Sequence, residues 1–192
     1  MSHHHHGQGG SPAFERPSAR PAGVRPLSAP GQVSVDYEHR VDFDRLRKYR
    51  LDRAQAALEA SGCGAFLLFD FYNIRYTTQT WIGGALGDKM IRYALLLPGR
   101  DPILWDFGSA AKAHRLQLPH MFDAENSIGG NTGLQGAIGP EAGLHARAAK
   151  EIAAVLRDEG LENERLGVDM AETAVFLALQ KEGLNVVDGQ QT

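Results

Sequence analysis

Three features that the sequence lacks exclude several classes of protein. Cys63 is the single cysteine, so the chain cannot form an internal disulfide. No apolar run approaches the ~18 residues that a membrane-spanning helix needs, and no signal peptide is visible. The formal net charge is −3 and the isoelectric point is about 6.2, so there is no basic surface typical of nucleic-acid binding. We therefore expect no nucleic-acid partner, no membrane partner and a cytoplasmic location.

The amino terminus differs in composition from the rest of the chain. The run His3–His6 and the linker Gly7–Ser11 are typical of a purification tag, so residues 1–11 are taken as an expression tag. Residues 12–40 are rich in Pro, Ala, Ser, Gly and Arg, and they predict a flexible extension that cannot bury enough apolar surface to order itself. Residues 41–192 have the length of one domain.

The pattern of apolar residues and turn residues predicts an alternation of helices and strands. The clearest helix runs from Phe43 to Ser61, with Asp42 or Asp44 as its cap and Gly62 and Gly64 at its end. The other predicted elements are a strand at 65–69, a short helical turn at 70–76, a loop at 77–89, strands at 91–97 and 103–107, a helix at 108–116, a short strand at 120–122, a loop at 126–140, a helix at 141–159, a strand at 165–168, a helix at 171–181 and a strand at 184–187.

The turn sequence Pro98–Pro102 lies between two apolar runs and predicts a β-hairpin. A hairpin requires one antiparallel pair, whereas alternating strands and helices favour parallel pairs. The sequence therefore predicts an α/β fold with a mixed β-sheet and flanking helices.

Most patterns that would indicate catalysis are missing. The native histidines His39, His114, His120 and His145 fall in four different elements, without the spacing of a metal site. His114 and His120 flank one helix end, where a structural or surface role is favoured. Cys63 follows the carboxyl end of a helix, where the helix dipole favours the thiol over the reactive thiolate.

The glycine-rich run Gly129–Gly133 is not typical of a phosphate-binding loop. Ser127 and Ile128, which precede it, do not resemble a strand, and the lysine of such loops is missing.

Four aspartates follow apolar strands directly or nearly so: Asp70, Asp106, Asp169 and Asp188. The carboxyl ends of strands are where open α/β sheets bind ligands. Aspartate is also a common residue for starting the next helix, and this capping role is favoured here.

The loop from Thr77 to Arg92 contains Trp81, Lys89 and Arg92 among three glycines. An aromatic side chain and fixed cations are suited to bind the carboxylate of a small ligand, so these three residues are the candidate substrate-binding residues. From the residues alone, a solvated loop without such a role is favoured.

One motif and the order of elements resemble a known family. The run Asp70-Phe71-Tyr72-Asn73-Ile74-Arg75-Tyr76-Thr77 is similar to the D-x-x-N-I-R-Y-x-T signature of the N-terminal domain of the creatinase/prolidase/aminopeptidase P enzymes, the M24 or pita-bread metallohydrolases. The helix with Arg45–Arg50, the hairpin strand ending in Trp105-Asp106 and the late strand Leu166–Asp169 agree with that order. The resemblance covers Val41 to Asp188.

The resemblance implies an N-terminal domain with a ribonuclease H-like motif, followed by a catalytic domain that this chain does not contain. That second domain would bind two divalent metal ions, so no metal site and no catalytic residues are expected here. The implied function is that of an accessory domain of an Xaa-Pro dipeptidase or aminopeptidase, inactive alone. Its implied partners are its own catalytic domain, a second copy in a homodimer and a dipeptide or other small substrate.

In related dimers the region before the hairpin strand reaches the active site of the partner subunit. That region corresponds here to Trp81–Arg92, with Arg92 as the expected carboxylate contact and Trp81 as an apolar wall.

Two alternatives remain open. The polar extension and the strand ending Leu104-Trp105-Asp106 resemble the branch that contains dimethylsulfoniopropionate lyases. A stand-alone module that binds a small ligand or a protein is the other alternative. The sequence stops just after a predicted strand, which favours a cut between two domains.

Overall fold

A computed structural model describes residues 41–82, 92–130 and 139–191. Its helices are α1 (Phe43–Ser61), α2 (Phe71–Thr78), α3 (Gly108–Gln117), α4 (Leu144–Asp158) and α5 (Thr173–Lys181), with a short 3-10 helix at Pro140–Ala142. Its strands are β1 (Ala65–Leu68), β2 (Tyr93–Leu96), β3 (Ile103–Asp106), β4 (Ser127–Gly129), β5 (Arg165–Val168) and β6 (Asn185–Asp188).

The six strands form one mixed sheet in the order β4-β3-β2-β1-β5-β6. Strand β2 is antiparallel to both of its neighbours, β1 and β3, and the other pairs are parallel. The predicted mixed α/β sheet is therefore confirmed.

The predicted hairpin is formed by β2 and β3, with Tyr93 opposite Trp105. The Gln55 side chain of α1 binds the backbone of the turn between β2 and β3. Its Nε2 donates to the carbonyl oxygens of Leu97 at 2.9 Å and Arg100 at 3.0 Å, and its Oε1 accepts from the Gly99 amide at 3.0 Å. These bonds satisfy backbone groups that a turn leaves unpaired.

Helices cover both faces of the sheet, as the continuous apolar strands indicate. On one face Tyr93, Leu95 and Trp105 pack against α4 and α5. On the other face Ala94 and Leu104 pack with Ile74 of α2, and Leu96 packs with Leu58 of α1. Cys63 is buried in this second core, consistent with a structural role.

Helix α1 begins and ends as its sequence predicts. The Asp42 carboxylate accepts from the Arg45 amide at 3.0 Å, so Asp42 rather than Asp44 is the cap. Gly62 ends the helix in the left-handed conformation with φ of 64°, which glycine adopts without steric cost.

Two predictions around β4 are wrong. Residues 120–122 are not a strand: a turn covers residues 119–121, and the Met121 and Phe122 amides donate to the Leu118 carbonyl. The edge strand lies later, at Ser127–Gly129, parallel to β3 and inside the predicted loop 126–140. Asn126 directs the chain into it, because its side chain accepts from the Asp123 amide and donates to the Met121 carbonyl.

Within the described residues, no helix is both long enough and apolar enough to cross a membrane.

Candidate functional site

The four strand-end aspartates lie along one edge of the sheet. Since β2 alone runs in the opposite direction, the carboxyl ends of β1, β3, β5 and β6 meet at the same edge. Asp70, Asp106, Asp169 and Asp188 therefore share the side of the sheet on which open α/β folds bind ligands. Their contacts divide them into structural residues and one buried ionic cluster.

Asp70 and Asp169 are structural and explain the family-like motif. Oδ2 of Asp70 accepts from the amides of Tyr72 and Asn73 at the start of α2, which confirms the capping role. The Asp169 carboxylate accepts four hydrogen bonds, from the amides of Phe69, Asp70 and Met170 and from Nδ2 of Asn73. Asp169 thus ties the end of β1 and the start of α2 to β5.

Near Asp169 the surface forms an open cleft of about 340 Å³. It is lined by Phe66, Leu68, Asn73, Gly167, Asp169, Gly189 and Gln190. Its one carboxylate is already fully engaged by the four donors. Its other polar side chains are Gln190 and Asn73, and the Asn73 carboxamide already donates to Asp169.

Asp106 is the centre of a buried ionic cluster at the end of β3. Its side chain is fully buried, and so is that of His114 from α3, while Arg92 before β2 is 4% exposed. Oδ2 of Asp106 lies 2.9 Å from Nε2 of His114 and 3.2 Å from Nε of Arg92. Oδ1 accepts from the Phe107 amide at 2.9 Å, so both carboxylate oxygens are used.

The electrostatics of the cluster are those of a desolvated ion pair. Burial lowers the pKa of the Arg92 guanidinium from its ordinary value, and the Asp106 carboxylate opposes that shift. A guanidinium keeps its charge at neutral pH even so. Because a carboxylate only accepts hydrogen bonds, Nε2 of His114 must carry the shared hydrogen.

Arg92 also holds the chain just after α2. Its Nη1 donates to the Thr80 carbonyl at 3.4 Å, and its Nη2 donates to the Thr80 hydroxyl. The Thr80 and Thr78 hydroxyl oxygens are 2.6 Å apart, and the Thr78 hydroxyl donates to the Ile74 carbonyl at 2.7 Å. Because the one hydroxyl hydrogen of Thr78 goes to Ile74, the Thr80 hydroxyl donates to Thr78 and accepts from Arg92. The hydrogen bonds therefore all point the same way, from Arg92 through Thr80 and Thr78 to Ile74.

Three side chains of the cluster keep polar atoms without a hydrogen-bond partner within the described part of the chain. They are both carboxamide atoms of Gln79, Nδ1 of His114 and Nε of Arg92, which is in ion-pair contact with Asp106. Gln79 also ends α2 with φ of 53°, a conformation that a non-glycine residue rarely adopts. Strain and unpaired polar atoms in one place are typical of segments whose conformation has a function.

The structure brings Arg92 and Trp81 to this edge, and Lys89 lies outside the described residues. The half-buried Trp81 ring meets Phe71 edge-on at 4.8 Å and lies 4.6 Å from the Arg75 guanidinium. Arg92 points inward to Asp106 and Thr80. Its contact with a substrate carboxylate stays a prediction, as do those of Trp81 and Lys89.

Sequence reasoning missed the roles of Thr78, Gln79 and Thr80, which lie in a segment assigned to a loop. A run of four buried polar residues, Thr77–Thr80, follows no periodic pattern that would signal burial. His114 was noted beside His120, but the structure brings it to Asp106 instead, while His120 is exposed.

The residues that the structure describes do not fit a two-metal centre. Nowhere among them do three histidine, cysteine, aspartate or glutamate side chains meet in a way that could hold a metal ion. Asp169 is saturated by four donors, and Asp106 is paired with a cation.

The fold is an α/β domain. Its six-stranded mixed sheet has helices on both faces, and its buried polar side chains lie at one edge. Residues 50–192 match the sequence profile described as the creatinase/prolidase N-terminal domain. The chain belongs to this family.

Solved structures agree on the fold. The Xaa-Pro aminopeptidase (aminopeptidase P) from Streptococcus thermophilus is similar with a TM-score of 0.54 and 21% identity, over 76% of this chain and 92% of that chain. An Xaa-Pro aminopeptidase from Streptococcus pyogenes is similar with a TM-score of 0.50 and 18% identity, over 76% and 92%. No curated protein matches the sequence.

Proposed function

We propose that this chain is the accessory N-terminal domain of a longer Xaa-Pro peptidase of the creatinase/prolidase type. The observation that carries the proposal is the family match over residues 50–192. The similar structures are Xaa-Pro aminopeptidases, which supports Xaa-Pro peptides as the proposed substrate class. In this proposal the domain is inactive alone, and two divalent metal ions belong to a separate catalytic domain.

The domain is proposed to shape the substrate pocket through its carboxyl edge and to contribute to dimerisation. Trp81 lies at this edge with one aromatic neighbour, Phe71, and one cationic neighbour, Arg75. A rigid aromatic ring with a supported orientation suits the apolar wall of a pocket for a proline-containing dipeptide. Lys89 is the proposed partner for the carboxylate of such a substrate, since Arg92 is buried and engaged with Asp106 and Thr80.

The first test measures metal content and peptidase activity of the chain after removal of residues 1–11. The tag is removed because its four histidines would bind metal by themselves. We expect no stoichiometric divalent metal and no hydrolysis of Xaa-Pro dipeptides. Metal-dependent turnover by the tag-free chain would overturn the accessory role.

The second test uses the longer enzyme, in which Trp81→Ala is expected to raise KM for an Xaa-Pro dipeptide. Tyr49→Ala is the matched control, because Tyr49 is an exposed aromatic residue on α1. Equal kinetics for both variants would contradict a pocket role for Trp81. Cleavage of a sulfonium carboxylate in place of dipeptides would instead favour a lyase.

A further inference from the structure

All buried polar and charged side chains that the structure describes belong to one region of the domain. They are Thr77, Thr78, Gln79, Thr80, Arg92, Asp106, His114 and Ser127. They come from the end of α2, the start of β2, the end of β3, α3 and β4. Burying an ion pair gives little net stability compared with apolar packing of the same volume. Stability alone therefore does not account for this concentration.

The contacts of this region run in one chain toward Trp81. His114 and the Phe107 amide fix the Asp106 carboxylate, and Asp106 fixes the Arg92 guanidinium. Arg92 then donates to both the carbonyl and the hydroxyl of Thr80. Thr80 is bonded covalently to Trp81, so the last fixed group of the network is the residue directly before the tryptophan.

The position of Thr80 needs such support because the residue before it is strained. Gln79 has φ of 53° and a buried carboxamide without a partner among the described residues. A residue in such a state persists only where its surroundings over-determine the conformation. Here the constraint comes from hydrogen bonds on both sides of Gln79, made by the hydroxyl groups of Thr78 and Thr80 and by the Arg92 guanidinium.

On the other side, the described residues hold Trp81 through ring contacts and apolar packing. Its ring contacts Phe71 and Arg75, and the next residue, Ile82, is buried against Ala110 with Phe71 and Phe107 beside it. These contacts keep the ring against the domain, and the hydrogen bonds to Thr80 add a directional constraint on the backbone that carries it.

We propose that Arg92, Asp106 and His114 form a positioning network that sets the orientation of Trp81 through Thr80. They are positioning residues, and Trp81 is the group that the network presents at the carboxyl edge of the sheet. This role rests on the proposed function, in which Trp81 forms a wall of the substrate pocket. It also gives a reason for an ion pair in the interior of a domain without a metal ligand set among its described residues.

The experiment uses the whole chain labelled with 5-fluorotryptophan. The chain has two tryptophans and therefore gives two fluorine resonances. Trp81→Phe assigns them. The measurement is the change in fluorine chemical shift between H2O and D2O, which increases with exposure of the ring to solvent. Trp105 is 1% exposed and provides an internal reference in every sample.

The deciding variant is Thr80→Val, and Thr77→Val is its matched control. Both remove one buried hydroxyl from a threonine of the same segment. Among the described residues, the Thr77 hydroxyl bonds only to carbonyl oxygens of α2, those of Asn73 and Ile74, whereas the Thr80 hydroxyl accepts a hydrogen bond from Arg92. We expect Thr80→Val to move the Trp81 solvent shift toward that of free 5-fluorotryptophan and Thr77→Val to leave it unchanged.

Arg92→Lys provides the second arm, because an ammonium group keeps the charge but loses the planar fork. We expect it to behave as Thr80→Val does, while Arg53→Met on exposed α1 has no effect. An unchanged Trp81 resonance in both Thr80→Val and Arg92→Lys overturns the proposal, and so does an equal response to Thr77→Val. The readout does not depend on activity, so its failure leaves the accessory role standing.

Discussion

Nδ2 of Asn73 donates to Oδ2 of Asp169 at 3.0 Å, which joins two residues 96 positions apart in the sequence. Asn73 lies in the family motif at the start of α2, and Asp169 follows β5. The bond links two separate markers of the family resemblance in one structural unit. The asparagine of the motif therefore has a structural role here.

Asp169→Asn is expected to lower the free energy of unfolding by about 2 kcal/mol, because a carboxamide has one acceptor oxygen where the carboxylate accepts four hydrogen bonds. Urea unfolding followed by circular dichroism measures the change. Asp188→Asn is the control, since Asp188 accepts one bond from the exposed Gln190 amide, and it is expected to cost less than about 0.5 kcal/mol. Equal costs would contradict the central role of Asp169.

Asp106→Asn is expected to destabilise the domain by about 3–5 kcal/mol, because it leaves the buried Arg92 guanidinium without its counter-charge. Glu159→Gln breaks an exposed ion pair with Arg100 and is expected to cost less than about 1 kcal/mol. The two variants are compared by chemical unfolding at one salt concentration. A small effect for both would show that Arg92 reaches another acceptor or solvent.

Gly167→Ala is expected to destabilise the domain by about 1–3 kcal/mol, because the new methyl group overlaps a packed ring. A Cβ at this position would lie 2.6 Å from Cδ1 of Phe66, so the ring must move. Gly108→Ala is the matched control, since nothing lies within 4 Å of a Cβ there. Thermal unfolding distinguishes them, and equal melting temperatures would show that Phe66 moves without cost.

Tyr93→Phe is expected to reduce the loss of stability at alkaline pH. Burial raises the pKa of the Tyr93 phenol above its ordinary value of 10.0, and the hydroxyl has no partner among the described residues. The unfolded chain therefore ionises first, so stability falls as the pH rises above about 10. Phenylalanine removes this contribution and leaves no buried hydroxyl unpaired.

Unfolding free energies at neutral and alkaline pH test this prediction. Tyr72→Phe serves as the control, because Tyr72 is 72% exposed and its variant is expected to follow the parent protein. A parallel decline in the Tyr93→Phe and Tyr72→Phe proteins would exclude Tyr93 as the source.

Local patterns predicted most of the fold. The predicted helix Phe43–Ser61 and strand Arg165–Val168 have the observed bounds. The helix has a periodic apolar face and clear signals at both ends. The hairpin followed from Pro98–Pro102 between two apolar runs. The edge strand β4 was missed because it has only three residues, and pairing with β3 rather than its own composition makes it a strand.

The candidate site was predicted only in part. Asp106, Arg92 and Trp81 were named from their residue types, but the ion pair between Asp106 and Arg92 was not predicted. It depends on the β2–β3 register, which sets the start of one strand against the end of the other.

By itself, the sequence determined the alternation of helices and strands, the two ends of α1 and the mixed character of the sheet, because these depend on neighbours a few residues apart. Only the tertiary structure decided which strand-end aspartate became a cap and which became the centre of a buried cluster. Asp70 finds the free amides of α2, whereas Asp106 finds Arg92 and His114. That difference comes from strand order and from the helices that close over each strand end, which bring together residues that no local pattern connects.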